Sequence, residues 1–240
     1  MNRKLLIFGF ATFVLLAWGL YQALVASPTI AVNANNPQLT GDIFRIFYYH
    51  LPSAILAFTL FFGNLLASVW YLIKRDRRAD ALAVSTAEVG IAFCTVVLVT
   101  GPIWAKPVWG VWWTWDARLT STLVLWLIYV SYLVLRRFSV GSGTAIVASA
   151  LAIFGFVDVP FVYMANRLFR TAHPQPMIGG GEGSGLDSAL WPPLLWNLLA
   201  FSAFAAMLVV LRYRLERMRH ELEDAQLAAD AVAVREEVLR

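Results

Sequence analysis

Six stretches of the chain are apolar enough, for long enough, to cross a bilayer: 5–26, 51–73, 84–104, 119–135, 144–165 and 190–211. A spanning helix needs about 20 such residues. Two of the stretches are interrupted by a single charge, Glu88 in the third and Asp158 in the fifth. The first resembles a secretory signal, with Arg3 and Lys4 ahead of it and Ala23 and Ala26 near a cleavage-like end. Its apolar run exceeds the roughly 7–15 residues of a signal core, which predicts an uncleaved anchor. Beyond the sixth stretch, residues 212–240 mix Arg, Glu, Leu and Ala at helical spacing. That pattern predicts a solvated helix continuing the last span. The expected fold is an all-α integral membrane protein of six transmembrane helices, with a spanning unit over 1–211 and a helical tail over 212–240.

Composition narrows the class. Of 240 residues, 60% are apolar and 14% charged, where soluble domains run at about 45–50% and about 25%. Mean hydropathy is +0.66. A soluble enzyme and a disordered chain are both excluded. Charge placement then sets the expected orientation. Of 19 cations, 14 fall on one side: Arg3 and Lys4, the 74–78 loop, Arg136 and Arg137, and six arginines beyond Leu211. Arg45, Lys106, Arg118, Arg167 and Arg170 fall on the other. The positive-inside rule predicts both termini in the cytoplasm and three outer segments, 27–50, 105–118 and 166–189. The last of these holds a glycine-rich run at 179–185.

Bond-making chemistry has little support. The one cysteine, Cys94, lies in an apolar run, so there is no disulfide framework and no CxxCH for covalent haem. No serine or cysteine has a histidine placed beside it by sequence, and no Walker lysine motif occurs. Acidic residues are scattered. The basic clusters follow from topology and need no nucleic acid. The chain reads as a non-enzyme whose function lies on the outer face.

The densest signal there is Trp104-Ala-Lys-Pro-Val-Trp109-Gly-Val-Trp112-Trp113-Thr-Trp115-Asp116-Ala-Arg118. Five of ten tryptophans fall within these positions. An interfacial aromatic belt also collects tryptophan, but spreads it singly over helix ends on both sides. Stacked into one outer segment, they predict an aromatic platform. Of the three histidines, His220 sits among charges in the tail and is expected to be solvated. His50 and His173 fall in the first and third outer segments, flanking the tryptophans, each close to a proline. Zinc would demand further ligands. Haem suits the pattern better, being planar and apolar with an iron that accepts imidazole nitrogen. Its propionates need cations, and Arg45 and Arg118 are candidates by their forked guanidinium, although both also suit interface anchoring. Asp116 is also suited to cap the fourth span. Asp158 is expected to hydrogen-bond backbone freed near Pro160.

Trp109-Gly110-Val111-Trp112-Trp113-Thr114-Trp115-Asp116-Ala117-Arg118-Leu119-Thr120 resembles the "WWD" signature of haem-handling proteins of bacterial cytochrome c maturation. With six spans and one outer histidine on each side of the motif, the chain is similar to the haem exporter protein C type. The resemblance implies that His50 and His173 are axial ligands of haem iron. It further implies that Trp104, Trp109, Trp113, Trp115 and Asp116 form the haem-facing platform, the outer loop being 104–120, and that Arg45 and Arg118 hold propionates. It implies haem b, bound transiently and non-covalently on the periplasmic side of the bacterial inner membrane, for delivery to a membrane-anchored haem chaperone. The implied partners include ABC transporter subunits, a small single-span subunit and membrane lipid. Two other readings compete. A b-type electron-transfer cytochrome would usually bury both ligand histidines within its spans, and a permease for a hydrophobic solute would leave the tryptophans as a belt.

Overall fold

The computed structural model describes residues 3–28, 41–139, 141, 143–173 and 186–238. Six helical segments in it are long and apolar enough to cross a membrane. Helix α1 (Arg3–Tyr21) ends in a π-helical turn, Gln22–Ala26. A 3₁₀ turn, Asp42–Ile46, leads into α2 (Phe47–Lys74). Helices α3 (Arg77–Trp109) and α4 (Ala117–Phe138) follow. The fifth segment is two helices, α5 (Thr144–Phe156) and α6 (Asp158–Leu168). A short turn, Ser188–Leu190, then opens α7 (Trp191–Val238). For orientation, the end holding the motif is called the tryptophan end and the opposite one the arginine end.

Several elements depart from the expected bounds. Helix α3 runs on through Pro102 and Pro107 to Trp109 instead of stopping near 104. A proline deletes one donor and crowds the preceding turn, yet neighbouring helices in a bundle can satisfy the freed groups. Gly110, at φ 77°, ends the helix; its N–H donates to Lys106 O at 3.0 Å, and Lys106 Nζ donates to Gly110 O at 2.8 Å. A left-handed C-terminal residue of this kind favours glycine. Helix α2 likewise starts at Phe47, so His50 stands on a helix and not in a loop. The fifth segment breaks at Val157, three residues before Pro160, where its N–H turns to Phe154 O at 3.1 Å.

Helices α2 and α3 share the most extensive interface. They are joined by only Arg75 and Asp76: Arg75 N–H closes α2 onto Tyr71 O, and Asp76 caps α3 through Arg78 N. The core lies between α2, α3, α4 and α5. There Phe61 stacks on Tyr129 at 3.8 Å, beside Leu56, Ala87 and Leu125. Helix α1 packs on α7, tied by Asn197 Nδ2 donating to Gly19 O at 3.0 Å. Large apolar side chains remain exposed around the bundle, Phe10, Phe13, Leu66 and Phe154 among them. An apolar surface of that extent suits lipid, not water.

The arginine end carries a polar knot. Arg136 donates to Asp80 at 2.7 Å, Arg212 to Glu88 at 2.5 Å and to Glu216 at 3.0 Å. His220 Nε2 lies 3.3 Å from Asp80 and 3.7 Å from Glu216. His220 is therefore buried, contrary to the expectation that it is solvated. The run of charges around it hid the acid that α3 supplies from 140 residues away.

Candidate functional site

One mostly apolar cavity of about 300 Å³ opens at the tryptophan end. It is lined by His50, Trp104, Trp109, Trp113, Arg118 and His173, among others. Six of the nine residues singled out from the sequence thus meet on one concave surface. They come from α2, α3, the 110–116 turn, α4 and the chain beyond α6. Deeper walls are apolar, with Phe58, Cys94 and Val162.

Local structure explains how each reaches it. His50 lies one turn into α2, with Nδ1 2.8 Å from Thr100 Oγ1 on α3. Trp104 meets the His50 ring edge to face at 5.9 Å and is braced by Phe44 and Phe47 at 6.2 and 6.3 Å. Trp109 meets His173 in a similar way at 6.4 Å. Each imidazole is thus paired with one indole of α3. His173 lies outside any helix, but its backbone is tied. Thr171 Oγ1 donates to His173 O at 3.1 Å, Asn166 Nδ2 does so at 3.5 Å, and Ala172 N–H donates to Asp116 Oδ2 at 3.2 Å.

Asp116 is the hub of that arrangement. Its Oδ1 accepts from Arg118 N and Leu119 N, both at 3.0 Å, which caps α4; its Oδ2 accepts from Thr114 Oγ1 at 2.9 Å and from Ala172. The carboxylate is consumed in holding two segments together, and Asp116 is not among the residues lining the cavity. Trp115 is also absent from the lining. It is 71% exposed, packs edge-on against Trp113 at 5.8 Å, and sits at φ 55°. A non-glycine residue there costs on the order of 1–3 kcal/mol. Arg45 too stays off the lining, paired with Asp42 at 3.1 Å. The glycine run at 179–185 and Pro174 lie outside the described residues.

The cavity's polar inventory is lopsided. Arg118 Nη1, Trp104 Nε1 and Trp113 Nε1 are buried with no hydrogen-bond partner among the described residues. All three are donors, and indole and guanidinium can only donate. Leaving a buried donor unpaired costs about 1–3 kcal/mol, and all three residues that carry these donors line the cavity. Sequence reasoning missed Thr100, Thr122 and Tyr163, of which the last two line the cavity. Single polar residues in apolar spans leave no pattern to find. Asp158 Oδ2 is buried and makes no hydrogen bond among the described residues, so the expected bond to backbone near Pro160 is not seen at that oxygen.

Comparison with known proteins fits this geometry. The family model described as "CcmC: Heme exporter protein C" matches residues 1–228. The chain is 32% identical over 218 residues to "Heme exporter protein C" of Bradyrhizobium diazoefficiens, covering 90% of this chain and 80% of that one. It is 32% identical over 216 residues to the protein of the same name from Haemophilus influenzae, covering 90% and 85%. The Escherichia coli K12 protein of that name is 32% identical over 180 residues, covering 72% and 70%.

Proposed function

The chain belongs to the Heme exporter protein C family, a family of haem-transport components and not of enzymes, and we propose that it binds haem b at the tryptophan end and hands it on. The observation that carries this reading is the meeting of two histidines and an arginine on one apolar cavity edged by indoles. Each part matches a part of the cargo. His50 and His173 supply neutral nitrogens for the two axial positions of the iron. Trp104, Trp109 and Trp113 offer flat apolar surface to the macrocycle. Arg118, with its free Nη1 donor, takes a propionate, and its fork suits a carboxylate. Asp116 and Trp115 act behind the site, by shaping the turn and tying His173 to it. Arg45 would reach a propionate only by leaving Asp42.

The site's form suits transfer. The cavity opens at the tryptophan end, so cargo held there stays within reach of a second protein. One ligand rides on a helix; the other rides on a tether of three hydrogen bonds, which gives a release step that leaves the bundle intact. By the positive-inside rule the tryptophan end faces the periplasm and both termini the cytoplasm. The family resemblance supports a membrane-anchored haem chaperone as the receiver, with ABC transporter subunits and a small single-span subunit completing the assembly.

The test is the absorption spectrum of purified protein loaded with haem, oxidised and reduced. Wild type should show a low-spin bis-imidazole spectrum. His50→Ala and His173→Ala should each lose it, and Arg118→Ala should weaken retention while keeping the spectrum's form. An unchanged spectrum in the double histidine variant would overturn the reading.

A further inference from the structure

Thr100 lies on α3, and its hydroxyl has two close neighbours: Val96 O at 2.7 Å and His50 Nδ1 at 2.8 Å. A hydroxyl has one proton to give and lone pairs to accept with. If His50 carried its proton on Nε2, Nδ1 would need the threonine proton. Thr100 Oγ1 and Val96 O would then face each other at hydrogen-bond distance with no proton between them. With the proton on Nδ1, both contacts are donor–acceptor pairs: Nδ1–H donates to Oγ1, and Oγ1–H donates to Val96 O.

The same helix contains a case that leaves no choice. Thr95 Oγ1 lies 2.8 Å from Ile91 O and accepts from Trp126 Nε1 at 2.8 Å. Indole nitrogen is donor only, so Thr95 must give its proton to the carbonyl four residues back. Thr100 repeats that geometry, with His50 in the place of the tryptophan. Threonine back-bonding of this kind is ordinary in helices, and Thr86 on α3 does it too, to Leu82 O at 2.8 Å. Nε2 of His50 makes no hydrogen bond among the described residues, on a side chain that lines the cavity.

We propose that Thr100 is a positioning residue that fixes His50 as the Nδ1–H tautomer and so presents Nε2 to the cavity as the iron-binding atom. This rests on the reading of His50 as a haem ligand. The chemistry is that of an outer partner holding a metal-binding histidine by its second nitrogen, which sets the ring's orientation and raises the basicity of the ligating one. Thr100 touches no cargo itself. It acts only through the imidazole.

The experiment uses the full chain in detergent or nanodiscs, without haem and then with it. In ¹⁵N-histidine-labelled, haem-free protein, with His50 assigned by comparison with His50→Ala, Nδ1 should be the protonated nitrogen. Thr100→Ser should keep that signature, and Thr100→Val, nearly the same shape but without the hydroxyl, should shift His50 toward the Nε2–H form. With haem, Thr100→Val should lose roughly 10-fold or more in retention and change the reduction potential, while Thr100→Ser restores both. A protonated Nε2 in the haem-free wild type overturns the proposal, as does a Thr100→Val variant with unaltered tautomer and retention. Failure of the ligand reading would show elsewhere, as an unaltered haem spectrum in His50→Ala, whatever the tautomer.

Discussion

Single side chains decide whether the tryptophan end is a site or a belt. Asp116 is the sharpest case, because one carboxylate caps α4 and holds the segment bearing His173. Losing a helix cap costs about 0.5–2 kcal/mol, and losing the bond to Ala172 loosens one imidazole as well. Asp116→Ala should therefore lower the melting temperature and reduce haem retention, although the residue does not line the cavity. Asp116→Asn can keep one acceptor for the cap but then turns an amide donor toward Ala172 N–H. It should spare the melting temperature while losing haem retention much as Asp116→Ala does; wild-type retention in Asp116→Asn would argue against the tether. How far the site was legible in the sequence follows the same division. His50, His173 and Arg118 stood out because rare residue types gathered in outer segments, whereas the three indoles were singled out from the tryptophan cluster by the family resemblance. Trp115 and Asp116 stood out in the same motif, yet neither lines the cavity: Trp115 is exposed at a positive φ, and the Asp116 carboxylate is taken up by Thr114 and backbone donors. Thr100 and Tyr163 were invisible, since a lone polar residue in a span takes its meaning only from the neighbour it meets in space.

At the scale of helices, the apolar runs located every span, but not their ends. Prolines 102 and 107 argue for an early stop to α3, whereas the helix continues and carries Trp104 and Trp109 on rigid backbone to the two histidines. The α2–α3 pair that sets this alignment depends on close approach at Gly90. A Cβ there would stand 2.8 Å from the Phe61 ring, and that ring is stacked on Tyr129 at 3.8 Å, with no room to retreat. Gly63, on the facing helix, has only an ordinary 3.5 Å neighbour in Thr86. Overfilling a packed interface costs about 1–3 kcal/mol. Gly90→Ala should therefore lower the melting temperature in detergent clearly, and Gly63→Ala hardly at all. Similar values for the two would mean that the helices can slide apart at no cost.

Across the whole molecule, the two ends are built on opposite principles. The tryptophan end leaves Arg118 Nη1 and two indole N–H groups without a partner among the described residues. The arginine end pairs its charges: Glu216, 1% exposed, accepts from Arg212 and lies within 4 Å of Arg136, Arg219 and His220. Asp80 and Glu88 join from α3, so three helices far apart in sequence are locked at one point. Removing one partner from a buried ionic group strands the others, at a cost on the order of 3–5 kcal/mol. Exposed pairs further along α7, such as Arg217 with Glu221 at 3.4 Å, contribute about 0–1 kcal/mol and are screened by salt. Glu216→Ala should thus destabilise the bundle strongly, to the same extent at low and high ionic strength, whereas Glu221→Ala should change little and only at low salt. Because the knot and the cavity sit at opposite ends, haem bound per folded Glu216→Ala molecule should equal wild type. A fall in that ratio, measured at a temperature where the variant is still folded, would show that the arginine end reaches through α3 to Thr100 and the indoles that meet the two histidines.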